Sequence, residues 1–418
     1  MIFQNKTFHF LLILSITLGL CSCNGKLETR HNPSGFQIPI PSKDFSAYIA
    51  ETEKNIKKAT KGELKQKWID ARLPFEYQPN KEKCGNSKPS KGVLLIHGLT
   101  DSPFLMRDLG KIFKENCFWV RSILLPGHGT VPGDLLNIKY SQWVEATDSG
   151  IDSFSGIVDD LYIAGFSTGA SLSLHHVLRK KNPKNIKGLI LISPGIKENT
   201  SLGFVAGFIG SIGKFIPKAG WLDLLPDEDK VKYESFSANA GAQFHYLAKE
   251  LRQLAADNPP ITTPIYMAIS SADATVDPYL GKDFFCNHTK NEKNKLLWYS
   301  GVETTNEDNV KNCTGGIIKH QKIDDEILGV LTYAHLSLPI DPSNDYYGEK
   351  GEYKNCLAYT YSDDKLKICK QEIDINSKVK YGEKSDKNEG NPVRRLTFNP
   401  EFKSMVDDIF SFIQNLDK

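Results

Sequence analysis

Six short, nearly unbroken apolar runs limit what this chain can fold into: Gly92 to Ile96, Phe118 to Leu124, Leu161 to Ala164, Gly188 to Ile192, Ile265 to Ile269 and Leu296 to Tyr299. A strand with one wet face alternates apolar and polar side chains, whereas unbroken runs belong to strands covered on both faces, as in parallel sheets. Between them lie segments with helical spacing, such as Leu105, Leu109, Ile112 and Phe113, or Leu172, His176 and Leu178. Strand, helix and strand in repetition predict an α/β fold, a mostly parallel central sheet with helices on both faces. A chain of 418 residues with 40% hydrophobic content can bury such a core, and a net charge of +2 gives no bias toward nucleic acid.

The alternation breaks between Ile196 and Pro260, where Phe204, Phe208, Ile212, Phe215, Trp221 and Leu225 precede a helix marked by Phe244, Leu247, Leu251 and Leu254. A stretch this long without a strand predicts an inserted lid or cap over 196–260. The core then occupies 92–195 and 261–340, with an insertion at about 280–326. A second insertion, 341–398, carries Cys356 and Cys369, and 399–418 forms a closing helix with Phe402, Met405, Ile409 and Phe412 on one face. Residues 24–91 are polar and Pro-punctuated, with one modest helical stretch near Phe45 to Trp68, and are expected to be a tether and lead-in. No internal repeat is present.

Residues 1–23 differ from all that follows: Lys6 is the only charged side chain before an apolar stretch, Phe8 to Leu20, that ends in Leu-Cys-Ser-Cys. This pattern is a secretion signal rather than part of the fold, and no later segment approaches the roughly 20 apolar residues of a membrane span. It resembles a bacterial lipoprotein signal, in which cleavage after Ser22 leaves a lipid-modified Cys23. The expectation is an exported protein held to a membrane of the bacterial cell envelope by that anchor, ordinary secretion being the alternative. Six cysteines remain, Cys84, Cys117, Cys286, Cys313, Cys356 and Cys369. In an oxidising compartment an even number argues for disulfides, here expected in sequential pairs. None has the Cys-x-x-Cys spacing of a zinc site, so no metal is expected.

The chemistry centres on Leu161-Tyr-Ile-Ala-Gly165-Phe166-Ser167-Thr168-Gly169, an apolar strand running into Gly-x-Ser-x-Gly and then a helix. A serine hydroxyl attacks well only when a base takes its proton, so it must stand on a sharp turn at the carboxyl end of the sheet. The flanking glycines allow that crowded turn. Val93-Leu-Leu-Ile96-His97-Gly98-Leu99 is a second buried strand, and in this architecture the loop after it supplies an oxyanion donor. The Leu99 and Thr168 N–H groups are the expected pair, because an acyl-transfer intermediate needs two fixed donors around one oxygen.

The acid follows the nucleophile at the end of a later strand, and Ile265-Tyr-Met-Ala-Ile269-Ser-Ser-Ala-Asp273 provides it, with Asp277 as a rival that better suits a helix cap. Beyond the acid lie His288, His320 and His335. His335 is the preferred base because it ends an apolar run, Ile327 to Ala334, and is expected to project from a rigid element; His320 is the fallback. His97 and His128 lie in loops near the site, where they either contact substrate or brace the loops. His175 and His176, on the helix after Ser167, are expected to be structural.

With these residues placed, the region from Gly92 to His335 resembles the monoacylglycerol lipase and carboxylesterase branch of the α/β-hydrolase superfamily. Leu124-Leu-Pro126-Gly127-His128-Gly129-Thr130, then Asp134-Leu and Trp143, is similar to that branch's segment between its second core strand and the serine turn. The resemblance implies a Ser167, Asp273 and His335 triad, an oxyanion hole at Leu99 and Thr168, and a lid after Gly195 over an apolar acyl site. It implies an acyl-enzyme mechanism without cofactor and small-molecule ester substrates: monoacylglycerols, lysophospholipids or short to medium acyl esters. A serine aminopeptidase of the same fold and a non-catalytic surface-binding protein stay open as alternatives. The long interval from Asp273 to His335 and the 341–398 insertion depart from compact members of the branch.

Overall fold

The computed structural model describes residues 26–85, 89–199, 217–300, 313–322, 329–373 and 376–418. The expected signal with Cys23, and the cap residues Phe204, Phe208, Ile212 and Phe215, lie outside them. In chain order the helices are α1 (Phe45–Ala59), α2 (Gln66–Arg72), α3 (Lys81–Cys84), α4 (Arg107–Glu115), α5 (Tyr140–Asp152), α6 (Thr168–Arg179), α7 (Ala238–Asp257), α8 (Pro278–His288), α9 (Asp363–Cys369) and α10 (Phe402–Leu416). The strands are β1 (Phe75–Tyr77), β2 (Lys91–Ile96), β3 (Trp119–Ile123), β4 (Asp160–Phe166), β5 (Ile186–Ile192), β6 (Trp221–Asp223), β7 (Phe236–Ser237), β8 (Ile265–Ser270), β9 (Lys295–Ser300), β10 (Ile317–Lys322), β11 (Lys380–Gly382) and β12 (Val393–Arg395).

Eight strands form one sheet in the order β1-β3-β2-β4-β5-β8-β9-β10. Every neighbouring pair is parallel except β1 with β3. The period of two sorts the strand residues onto two faces. Val93, Leu95, Tyr162, Ala164, Ile190 and Tyr266 pack with Leu109 and Phe113 of α4 and Met405, Ile409 and Phe412 of α10. Leu94, Ile96, Ile163, Leu189, Ile265 and Met267 pack on the opposite side with Trp143 of α5, Leu174 of α6, Leu247 of α7 and Phe285 of α8. Burial on both faces is why these strands read as unbroken apolar runs.

The two edge strands leave no apolar signature in the sequence. β1 and β10 are only partly buried, and β10 reads Ile-Ile-Lys-His-Gln-Lys, so neither offers an apolar run. The expected single helix near Phe45 to Trp68 is broken into α1 and α2, because Lys61 and Gly62 adopt positive φ of 50° and 73°. Nor are the described residues of 24–91 a tether: Phe45, Tyr48 and Ile56 are buried, and Arg72 donates to the carbonyls of Gly129, Thr130 and Lys230. Their apolar residues lie on single helix faces, which a polar average conceals. The cap region contains a short antiparallel β6–β7 ribbon where no strand was expected.

The disulfides are Cys84–Cys117, Cys286–Cys313 and Cys356–Cys369, the sequential pairing. Residues 341–398 do not hang off the body. Tyr346, Tyr347, Tyr381, Leu396 and Phe398 join the same core as α4 and α10, and β11 pairs with β12 in parallel. Among the described residues no helix is long and apolar enough to cross a membrane.

Candidate active site

β4 delivers Ser167 to the carboxyl edge of the sheet, and the backbone there turns through φ 53° and ψ −114°, a strained region for a residue with a side chain. The two glycines of the motif are required by contact. A Cβ on Gly165 would lie 2.5 Å from the Ala170 nitrogen, and one on Gly169 would lie 2.1 Å from the Ile96 carbonyl oxygen. The turn is held because Ser167 N–H donates to the Ile192 carbonyl at 2.9 Å, while its own carbonyl accepts from Ser171 N–H at 3.1 Å.

The Ser167 hydroxyl lies 2.9 Å from Nε2 of His335, whose Nδ1 lies 2.5 Å from Oδ2 of Asp273. A carboxylate only accepts, so Nδ1 carries the proton and Nε2 is left to accept from the serine O–H. The second oxygen of Asp273 accepts from the N–H groups of Thr275 (2.8 Å) and Val276 (3.0 Å), which fixes the carboxylate's rotation. All three side chains are buried. Serine, imidazole and carboxylate in this relay can transfer a proton from Oγ as the oxygen attacks an electrophilic carbon.

The sequence predicts that His335 projects from a rigid element, but it opens a turn over residues 335–339 in an irregular stretch whose one bridge is Val330 with Tyr381. The loop is pinned instead by side chains from elsewhere. Ser270 Oγ donates to the Tyr333 carbonyl at 2.7 Å, and the His335 N–H donates to Oε2 of Glu383 at 3.0 Å. The rivals lie apart from the relay. Asp277 caps α8, accepting from Leu280 N–H at 3.0 Å, and His288 ends that helix beside the Ala255 carbonyl. His320 lies on edge strand β10, with β5, β8 and β9 between it and β4.

Thr168 is the first residue of α6, so its N–H is among the first-turn donors that a helix leaves without an internal acceptor. The tight approach of Gly169 to the Ile96 and His97 carbonyls sets the end of β2 against the start of α6. Leu99 is half-buried and packs against Phe244, Ala248 and Val276.

His97 and His128 are fully buried, and both nitrogens of each ring are engaged with backbone. His97 lies 2.8 Å from the Gly98 carbonyl through Nδ1 and accepts from Leu125 N–H at 3.0 Å; His128 lies 3.1 Å from the Pro126 carbonyl through Nδ1 and accepts from Thr100 N–H at 3.0 Å. Burial, the largest cause, drives the His97 pKa well below its ordinary value and that of His128 to about 4, so both rings are neutral braces. Of the two expected roles these contacts serve the bracing of loops and not the contact with substrate, since no ring nitrogen is left to reach a ligand. Glu383 is not legible in the sequence, because an isolated Glu in the polar stretch Tyr381-Gly-Glu-Lys carries no motif. Its carboxyl is fully buried; burial alone would raise its pKa, but Arg395 and the N–H groups of Lys384 and His335 outweigh that and hold it at about 2.

Residues 87–303 match the family model Hydrolase_4, described as serine aminopeptidase, S33. The match takes in Ser167 and Asp273 and stops short of His335. The thermostable monoacylglycerol lipase of Bacillus sp. (strain H-257) is 27% identical over 188 residues, 45% of this chain and 72% of that protein. Among solved structures, one from work on the metagenome-derived lipolytic enzymes LipS and LipT is 22% identical, covers 56% of this chain and 91% of its own, and superposes with a TM-score of 0.45. The Paleococcus ferrophilus monoacylglycerol lipase is 18% identical over 55% of this chain and 88% of its own, with a TM-score of 0.43. With the family model spanning more than half of its length, the chain belongs to the Hydrolase_4 family and is a serine hydrolase of the α/β-hydrolase fold.

Proposed function

We propose that the protein hydrolyses carboxylic esters through an acyl-enzyme on Ser167. The observation that carries this reading is the Ser167 hydroxyl 2.9 Å from His335 Nε2, with Asp273 on the far nitrogen. His335 takes the hydroxyl proton as Oγ attacks the ester carbon, and the Leu99 and Thr168 N–H groups hold the developing oxyanion. The imidazolium, stabilised by Asp273, returns its proton to the leaving alcohol. Water then repeats the sequence to release the acid and restore Ser167. These steps are proton and acyl transfers among side chains and water and call for no cofactor.

The preferred substrates are monoacylglycerols, lysophospholipids or short to medium acyl esters. The Bacillus relative, named a monoacylglycerol lipase, supports this class, as does the apolar lid sequence. The family description favours a second reading, a serine aminopeptidase. That activity needs a carboxylate for the substrate's amino group; among the described residues Asp101 is paired with Lys232 and Glu383 with Arg395, while Glu198 pairs with His245 through one oxygen only. The reading extends to location: an exported protein, lipid-anchored on Cys23 to a membrane of the cell envelope, which the three disulfides support.

The test is a panel of nitrophenyl esters of increasing chain length beside aminoacyl nitroanilides, run on native protein and on Ser167→Ala. Ester turnover is expected to exceed anilide turnover and to fall by at least about a thousand-fold in the variant. Faster anilide cleavage points to the peptidase, and failure of Ser167 to react with a fluorophosphonate removes the enzyme reading altogether.

A further inference from the structure

A relay of this kind works only if its acid and base are held to fractions of an ångström. Here the two sit on separate loops, and the base lies in a run of turns with no regular hydrogen bonding of its own. One buried carboxylate reaches both loops. Oε2 of Glu383 accepts from the His335 N–H at 3.0 Å and, at a longer 3.4 Å, from the N–H of Ala274, the residue after Asp273. Glu383 N–H itself donates to Thr332 Oγ1 at 3.0 Å, three residues before the base.

The carboxylate is in turn gripped by Arg395. Gly382 of β11 and Arg395 of β12 lie in register in the parallel pair, so the guanidinium stands beside Glu383. Nε donates to Oε1 at 2.8 Å and Nη2 to Oε2 at 3.3 Å, while Nη2 also donates to Thr275 Oγ1 at 2.9 Å. Thr275 N–H donates to Asp273, and Asp273 holds His335. The contacts close a ring: Asp273, Thr275, Arg395, Glu383, His335 and back to Asp273.

We infer that Glu383 and Arg395, supplied by the segment after residue 341, are positioning residues that lock the acid and base loops into their reacting geometry. A buried ion pair by itself adds little net stability, since desolvation offsets the attraction. Its hydrogen bonds here end on the two loops that must not drift. The role rests on the reading of Ser167, Asp273 and His335 as the reacting set.

The experiment measures kcat and KM for a short-chain nitrophenyl ester, with thermal unfolding, on native protein, Ser167→Ala, Glu383→Ala, Glu383→Gln, Arg395→Met and Thr275→Val. Glu383→Ala is expected to lower kcat by roughly a hundred-fold with KM little changed, because about 1 Å of misplacement suffices for that loss. Glu383→Gln recovers part of it, since its amide oxygen can still accept from the His335 N–H. Should Glu383→Ala not fold, Thr275→Val, which removes only the hydroxyl that Arg395 grips, is expected to lower kcat several-fold at an unchanged melting temperature. Folded Glu383 and Thr275 variants with native kcat overturn the positioning role alone, provided Ser167→Ala is inactive. Ester activity that survives in Ser167→Ala overturns the reading of the site, and this role with it.

Discussion

Asp273 and Asp277 stand on one loop, and their surroundings assign them different work. One oxygen of Asp273 is spent on two backbone N–H groups and the other faces His335, whereas Asp277 accepts from the first turn of α8. Asp273→Asn is expected to lower kcat by about ten-thousand-fold in a folded protein, because the amide favours the wrong imidazole tautomer. Asp277→Ala should leave kcat alone and cost about 1 kcal/mol of stability as a lost helix cap, read from denaturant midpoints. Equal losses of kcat in the two variants would reverse the assignment. At this scale the sequence is legible where chemistry needs a residue type at a fixed place, as with Ser167 between its glycines. It is illegible where a role depends on remote backbone. Nothing near His97 or His128 announces that the N–H groups of Leu125 and Thr100 will occupy their rings.

Elements were readable in proportion to how completely they are buried. The six central strands are apolar on both faces and stand out; β1 and β10 need to satisfy only one neighbour and do not. The passage from β4 into α6 is the most constrained, because two glycines meet backbone rather than flexible side chains. The loop carrying His335 has no periodicity, since side chains of other segments hold it. One of those segments is closed by Cys356–Cys369, with a separation of 13 residues, and Arg394 donates to the Cys369 carbonyl. Replacing both cysteines by Ala is expected to destabilise the protein by about 3 kcal/mol through the freed unfolded chain. An unfolding midpoint equal to that of native protein would show that the bridge contributes nothing.

Across the whole molecule, buried charge sets the response to pH. Glu383 has its carboxyl held at about 2 against an ordinary 4.5, so between those values the unfolded chain binds a proton that the native state refuses. The stability linked to that proton is therefore present above about pH 4.5 and lost as pH falls toward 2. Asp229 acts with the opposite sign in a higher window. Burial, its largest cause, lifts its pKa from 3.8 to about 7 despite the Tyr347 hydroxyl, so stability declines as pH rises through that interval. Melting temperatures from pH 2 to 8 should fall steeply below pH 4.5, and Glu383→Gln should flatten that limb; an unchanged slope would assign the acid sensitivity to other groups. The amino-acid sequence by itself determined the layered α/β sheet, the serine turn and the strand end that carries Asp273, because burial and chain order act through neighbours. Only the tertiary structure decided which histidine meets Ser167 across 168 residues, and that Glu383 would brace it, because those contacts join turns with no repeating pattern of their own.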